Sequence, residues 1–445
     1  MSISRISVAG YKSIRDRIDL DLPKLTILAG ANSSGKSSVM QSLLLLKQTY
    51  EAGYDPGPLR IDGPNVSFSR VSQMTWRGSS KDAAHEMMFG LRHDSDHGVD
   101  LYFTSTCTSR SPLKVSRTVW FSGQNSYDLA PRMATSVVDK MFSDLAAEFL
   151  KGLSDDLLPE GHDVSLERDR SALVVNLVQK LGEKSYQFIQ LCPGFAVRVR
   201  PLDWLMRSVI HVPGLRGNPE RSYSVAAVEP AFPGVFQSYT ASVIASWGSG
   251  TRKRKSLVRQ LGELGLTSEI RAKRRSDTEV DLLVGRLGPG LNDSNTASGL
   301  VSVADVGFGV GQVLPVLTAL LAADSRHLVF LEQPEIHLHP KAQYALAGPI
   351  VEAVDRDVQV VVETHSELLL MAIQRMVAEG RINQEDVALY WFRRPDDGVT
   401  DVQQGKLDAE GAYGDWPVDF ASTSMSAMRD YIEAARRAHE SQADE

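Results

Sequence analysis

Four short stretches of this 445-residue chain carry side chains whose type and spacing can do chemistry. The first is Gly30-Ala31-Asn32-Ser33-Ser34-Gly35-Lys36-Ser37, followed by Ser38, which fits the pattern G-x-x-x-x-G-K-[ST]. Glycines at both ends let the backbone curl so that successive N–H groups face an anion, and the start of a following helix adds partial positive charge. In such a loop Lys36 reaches the outer phosphates and the Ser37 hydroxyl ligates Mg²⁺. The second is Glu332-Gln333-Pro334-Glu335, directly after the apolar run His327–Leu331. A carboxylate at the C-terminal end of a buried strand, beside a phosphate loop, is placed to hold a metal's water shell. The third is Thr364-His365-Ser366 at the end of another apolar run, where His365 can meet a terminal phosphate or an attacking water. The fourth is Asp305-Val306-Gly307-Phe308-Gly309-Val310-Gly311-Gln312, a glycine-rich helix start and so a second anion-binding end.

The elements that must hold these groups are legible from periodicity. Ile3, Ile6 and Val8, then Ile18, Leu20 and Leu22, then Leu25, Ile27 and Leu28 read as three short strands, the third running into the glycine loop. Val39, Met40, Leu43, Leu44 and Leu46 predict a nearly buried helix from Ser37 to about Tyr50. Residues 51–130 suggest an antiparallel lobe; a helical stretch follows through Val137 to Phe149, 165–200 is ambiguous, and 235–285 reads as helical. The segment 211–223 is turn-rich and carries Arg216 and Arg221. From Asp305 onward, helix and buried strand alternate (strands at His327–Leu331 and Val358–Glu363), which implies a mostly parallel sheet.

Composition narrows the class. A hydrophobic fraction of 42% supports a large core, while a net charge of −7 argues against wrapping in nucleic acid by bulk charge. Cys107 and Cys192 make no disulfide framework. The N-terminus lacks the layout of a signal peptide and no apolar run is long enough to span a bilayer, so the expectation is a cytoplasmic protein without a membrane partner.

In this order the four pieces resemble the ABC-type ATPases of the RecF, SMC and OLD group, closest to standalone bacterial AAA-family ATPases with QPE-x-HLHP and VGFGVSQVLP motifs. The resemblance covers residues 1–50 and about 300–420, with a looser likeness at GLRGNPERSY. It implies an α/β ABC-type ATPase head, with mixed or parallel sheet, flanking helices and an N-terminal antiparallel sheet, carrying an inserted α+β lobe. The implied division is 1–130 and 296–425 for the two parts of the head, 131–295 for a mostly helical insertion and 426–445 for a charged tail. It further implies ATP and Mg²⁺ as cofactors and a homodimer in which Gly307, Phe308, Gly309, Gly311 and Gln312 of one subunit cap the nucleotide held by the other. Under the resemblance His365 is the switch histidine, and His337-Leu338-His339-Pro340 sits where a dimer-contact loop lies. His337 and His339 lack a third ligand at a metal-binding spacing.

Two departures from the family pattern bear on rate. Gly311 stands where a serine is usual, and Gln333 stands where a catalytic glutamate is usual. Glutamine orients water but takes no proton, so either Glu332 or Glu335 supplies the base or hydrolysis is slow; losing a general base costs about 10²–10⁴-fold. Ser37, Glu332 and Gln73 are the expected metal-side residues, Gln73 as the weakest of them; Gln41 reads chiefly as helix packing. Residues 251–275 carry nine basic against two acidic side chains. Arg252, Lys253, Arg254, Lys255, Arg271, Lys273, Arg274 and Arg275 are therefore candidates for DNA or RNA contact, with a solvated face as the alternative. The expected function is a slow ATP-dependent dimeric switch that senses nucleic acid or phage and controls a partner effector encoded nearby in a bacterial defence system. A RecF-like DNA-repair clamp is the alternative. An OLD-like nuclease is disfavoured because the roughly 80 residues after His365 contain no D-x-D at a strand end.

Overall fold

The computed structural model describes residues 2–76, 85–105, 113–141, 162–181, 184–192, 201–228, 231–285, 299–414 and 429–434. Its centre is a six-stranded sheet made from β3 (Leu25–Gly30), β11 (Val209–Val212), β16 (Leu328–Glu332), β17 (Gln359–Glu363), β18 (Val387–Arg393) and β19 (Asp401–Gly405). The spatial order is β11-β16-β17-β3-β18-β19, parallel throughout except for β19. Strands covered on both faces read as continuous apolar runs, and every residue of β3, β11 and β17 is buried.

The pleat sorts those residues between two cores. Leu25, Ile27 and Ala29 of β3, Val329 and Leu331 of β16, and Val360 and Val362 of β17 face one apolar cluster. They meet α5 (Phe308–Ala322), α7 (Ala347–Val354) and α8 (Glu367–Ala378) through Val313, Leu317, Ile350, Leu369 and Ile373. Leu28, Phe330 and Val361 face the second cluster. There they pack with Val39, Leu43 and Leu46 of α1 (Lys36–Tyr50) and with a second, antiparallel sheet. That sheet comprises β1 (Arg5–Ala9), β2 (Ile18–Asp21), β4 (His85–Arg92), β5 (Gly98–Ser105), β6 (Lys114–Ser122) and β7 (Asn125–Leu129), in the order β2-β1-β4-β5-β6-β7. At about 1.5–3 kcal/mol per fully buried aliphatic side chain, these two layers hold the central sheet in place against chain entropy. Among the described residues no helix is long and apolar enough to cross a membrane. The fold is therefore mixed α/β, as expected.

The middle of the chain differs from expectation. Among the described residues, 131–295 are not mostly helical, and part of the range belongs to the central sheet. β8 (His162–Asp169), β9 (Ala172–Leu181) and β10 (Lys184–Leu191) make a three-stranded sheet, and β11 is an edge strand of the central sheet itself. β12 (Tyr223–Ser224), β13 (Ile270–Arg274), β14 (Glu279–Gly285) and β15 (Leu300–Ser302) form a small antiparallel sheet. In β14, Val280, Leu282 and Val284 are buried at every second position, a period of two that the helical reading of 235–285 passed over. Helix there comprises residues 135–141, the described start of the helical stretch expected around Val137 and Met141, and α2 (Pro201–Arg207), α3 (Thr240–Ser246) and α4 (Arg252–Glu263) among the described residues. The predicted helix Lys341–Val354 is two, α6 (Pro340–Ala345) and α7, meeting at Leu346. The stretch after residue 141 predicted as helix, and most of the charged tail, lie outside the described residues.

One polar group is sunk into this packing. Lys47 of α1 is fully buried; its ammonium pairs with Glu51 and donates to the Phe232 carbonyl at 3.1 Å, while Gly234 N–H donates to the other Glu51 oxygen at 2.9 Å. Removing one partner of a buried pair leaves an uncompensated charge, which costs about 3–5 kcal/mol. Lys47→Met should lose stability on that scale in urea denaturation, whereas Lys47→Met with Glu51→Gln should lose less. Equal losses would show that the pairing is not what matters.

Candidate functional site

The parallel strands β16, β17 and β3 all end at one edge of the central sheet, and the sequence-predicted groups emerge there. The glycine loop follows β3. Gly30 has φ 139° and packs so tightly that a Cβ would lie 2.2 Å from the Phe392 carbonyl oxygen of β18. Gly35 has φ 108°, and a Cβ there would lie 2.4 Å from Thr400 Oγ1. Glycine alone satisfies both demands. Thr400 also clamps the loop, donating from its hydroxyl to the Ser34 carbonyl at 2.9 Å. Lys36 opens α1, and its ammonium lies back across the loop to the Gly30 and Ala31 carbonyls at 3.0 and 2.7 Å. Burial lowers the Lys36 pKa, opposed by Glu363.

Residues Asn32 to Ser38 line a cavity of about 480 Å³, together with Lys12, Gln41, Gln333, Glu363, His365 and Arg394. This volume lies within the range of small-molecule sites. Its walls offer backbone N–H groups and cations on the loop side and polar side chains on the strand-end side. Burial lowers the pKa of His365, and Lys36 adds to the effect, so the imidazole is held toward its neutral form.

The three acidic strand-end groups occupy three different settings. Glu332, expected at the metal, does not line the cavity. Its Oε1 lies 3.1 Å from His211 Nε2, and its Oε2 accepts from Gly214 N–H at 3.0 Å. Burial would raise its pKa, but His211, Gly214 and Arg216 together leave it lowered. Glu335, a candidate base, is buried with Oε1 accepting from the Thr364 hydroxyl at 2.7 Å and from His365 N–H at 2.9 Å, so it braces the end of β17. The third is Glu363, which was overlooked in sequence because it reads as the last residue of an apolar run. It is 4% exposed, and its Oε1 accepts from the Ser37 hydroxyl at 2.8 Å. Its Oε2 is buried with no hydrogen-bond partner among the described residues. Burial raises its pKa to about 7, with Glu332 and Glu335 adding to the rise and Ser37 and Lys36 opposing it. Gln333 does reach the cavity, in a left-handed backbone conformation (φ 42°) with its N–H donating to the Glu363 carbonyl at 2.7 Å.

Gln73 lies elsewhere. Its side-chain oxygen accepts from Ser69 and Arg70 N–H at 3.0 and 3.1 Å, and it lines a neighbouring cavity of about 580 Å³ with Lys12, Trp76 and Arg394. A glutamine carbonyl spent on its own turn is not free to ligate, and the structure does not bring it to Ser37. Gln41 instead accepts from the Lys12 ammonium at 2.5 Å on the cavity wall.

The glycine-rich helix start forms the N-terminus of α5, with Gly307 as its cap and Phe308 56% exposed. None of Gly307, Phe308, Gly309, Gly311 and Gln312 lines the phosphate-loop cavity of the same chain. The segment 214–221, marked in sequence only as a turn-rich piece with arginines, lies across this start. Arg216 is buried and donates to the carbonyls of Gln312 at 3.2 Å, Glu332 at 2.7 Å and Gln333 at 3.1 Å. Burial lowers its pKa to about 10, against the pull of Glu335 and Glu332, so it stays charged at neutral pH. Gln312 Nε2 donates to the Gly217 carbonyl at 2.6 Å, and Arg221 pairs with Asp305 at 2.7 Å. Gly311 now has a physical account: a Cβ there would stand 2.2 Å from Pro219 Cγ.

The basic stretch is largely spent on structure. Arg254 is buried and donates to the Ile244 carbonyl at 3.1 Å and to the Ile270 carbonyl. Lys253 donates to the Ala322 carbonyl at 3.3 Å, Arg271 pairs with Glu269 at 3.0 Å, and Arg275 lies 3.9 Å from Glu279. Arg252 and Lys255 on α4, with Lys273 and Arg274 on β13, are exposed.

Two separate regions of the chain match family models. Residues 1–89 match a family model described as an AAA ATPase domain. Residues 271–372 match one described as an AAA domain, putative AbiEii toxin, Type IV TA system. No curated protein matches the chain. Among solved structures, the SMC head domain from Thermotoga maritima is similar at 10% identity and TM-score 0.40, covering 91% of this chain and 98% of that one. An SmcHead bound to the C-winged helix domain of ScpA gives 11% and 0.43, covering 92% and 98%. An Smc head domain with an extended coiled coil, bound to the C-terminal domain of ScpA derived from Pyrococcus furiosus, gives 10% and 0.43, covering 96% and 99%. The two matched regions supply β3 with the phosphate loop and β16 with β17.

Gly311→Ser tests the account of the overlying segment. Forcing a side chain against Pro219 should cost about 1–3 kcal/mol in urea denaturation, with faster proteolysis within 214–221. An unchanged midpoint and cleavage rate would mean that the segment yields freely.

Proposed function

We propose that the protein binds ATP with Mg²⁺ in the phosphate-loop cavity and hydrolyses it slowly. The observation that carries this reading is the convergence of the glycine loop, Lys36, Ser37, Gln333, Glu363 and His365 on one cavity at the carboxyl edge of a parallel sheet. Loop N–H groups and the start of α1 bind the phosphates, and Lys36 exchanges its carbonyl partners for phosphate oxygens. The residues present suit a hard divalent cation, because the Ser37 hydroxyl and a buried carboxylate oxygen without a partner lie together. When bound, Mg²⁺ neutralises charge developing on the phosphates. Gln333 and His365 orient the attacking water. Two features support slow turnover: Gln333 cannot accept a proton, and Glu335 does not line the cavity and accepts through Oε1 from Thr364 and from His365 N–H.

The α5 start, outside its own chain's cavity, exposes Phe308 and the helix N-terminus. That arrangement supports a homodimer in which Gly307–Gln312 of one subunit closes over the nucleotide of the other, with ATP binding as a switch read by a partner protein. The description of the matched family as a putative toxin of a toxin–antitoxin system supports an effector-linked defence role over a repair clamp. Nucleic-acid contact, if made through this stretch, falls to Arg252, Lys255, Lys273 and Arg274.

Native mass measurement with Mg²⁺ and ATP should show a shift from monomer to dimer that Lys36→Ala abolishes, together with nucleotide binding itself. Turnover should fall below ~10 s⁻¹ per subunit, the ordinary enzyme rate. Absence of ATP binding at millimolar concentration would end the reading, and rapid turnover would end the switch.

A further inference from the structure

We propose that Glu363, rather than Glu332, is the carboxylate that holds the cation accompanying the nucleotide, acting with the Ser37 hydroxyl. This rests on the reading of the cavity as a nucleotide site and names the residue that completes it.

Strand order comes first. β17 is hydrogen-bonded directly to β3, so Glu363 leaves the sheet one strand, about 5 Å, from the phosphate loop. β16 lies one strand further out, and Glu332 is the register partner of Glu363 across that extra spacing. The side chains then diverge. Both oxygens of Glu332 are engaged on the far side, by His211 and by Gly214 N–H, and His211 is fixed in turn by Asn65 at 3.0 Å and by stacking on Phe330. Bringing Glu332 to Ser37 would break both contacts and leave the buried His211 Nε2 without its carboxylate partner. Glu363 needs no movement, since Oε1 already meets Ser37 and Oε2 is buried without a partner.

A buried carboxylate oxygen left unsatisfied is costly unless a cation or donor completes it. The nearest ammonium, on Lys36, is turned to the Gly30 and Ala31 carbonyls. Mg²⁺ is bound in nucleotide sites by one or two carboxylates together with substrate phosphates and retained waters. Glu363 and Ser37 supply the protein's share of that shell from residues already in contact. Gln333, on the same cavity wall as Glu363, is left free to orient water.

The test is titration of the full-length protein with a fluorescent ATP analogue, once in EDTA and once in saturating Mg²⁺, for wild type, Glu363→Gln, Glu363→Asp and Glu332→Gln. Mn²⁺ binding in the presence of nucleotide, read by electron paramagnetic resonance, serves as the second measurement. Wild type should bind more tightly with Mg²⁺ than in EDTA. Glu363→Gln should lose about 10–100-fold of the metal-dependent affinity, the range for disturbing a metal's protein shell, while its EDTA affinity is kept. Glu363→Asp, which keeps the charge, should recover part of the loss, and Glu332→Gln should keep the metal-dependent gain. Loss of that gain in Glu332→Gln with retention in Glu363→Gln would overturn the assignment. Failure of wild type to bind nucleotide in either buffer would instead overturn the nucleotide reading itself.

Discussion

Three carboxylates and one guanidinium are packed, mostly out of water, at the carboxyl edge of a parallel sheet, and their mutual neutralisation is the constraint on which the site depends. Like charges this close cannot all be ionised and unpaired. Glu335 is held through one oxygen by the end of β17, by Thr364 and the His365 N–H. Glu332 is satisfied by the neighbouring strand, through His211 and the turn at Gly214. Glu335 and Glu363 each keep one buried oxygen without a hydrogen-bond partner among the described residues, and of the two only Glu363 faces the cavity. The fold has disposed of two negative charges internally and left the third where a cation and a triphosphate would meet it.

Arg216 ties this edge to the rest of the molecule. Its guanidinium reaches the carbonyls of Glu332 and Gln333, at the end of β16, and that of Gln312, in the first turn of α5. The two features that the dimer reading assigns to different nucleotides are thus joined within one chain by a planar fork whose two terminal nitrogens reach three carbonyls. Movement of the β16 end is felt at α5 through a rigid group, not through a flexible loop. Pro219 seated on Gly311 and Arg221 paired with Asp305 tighten the same contact. The missing hydroxyl at position 311 follows from that packing, because the space a serine would need is filled by proline.

Surface charge proved a weaker guide than local chemistry. The basic run around α4 looks like a phosphate-binding stripe when counted in sequence. Arg254 and Lys253 cap carbonyls, and Arg271 and Arg275 lie beside glutamates. Long cationic side chains are efficient at satisfying carbonyls left open at element ends, so a count of charges overstates the field they project.

Sequence alone determined the groups whose chemistry is local. The phosphate loop needs glycine at two backbone positions and a lysine and serine at the helix start, all within eight residues, so its signature survives without knowledge of the fold. The buried parallel strands were legible for the same reason, since burial on both faces writes a continuous apolar run. Tertiary structure alone decided which acid serves which partner. The orientation of Glu332 depends on His211, over a hundred positions away, and the role of Glu363 on β17 lying beside β3, which no periodicity encodes. β11 was likewise invisible as a sheet member, because a four-residue apolar run fits helix and strand equally until a neighbouring strand is present to pair with it, whereas the alternation of β14 was present in the sequence and was passed over. Pairing across long sequence separation is a property of the folded chain, and it is there that the electrostatics of the site were settled.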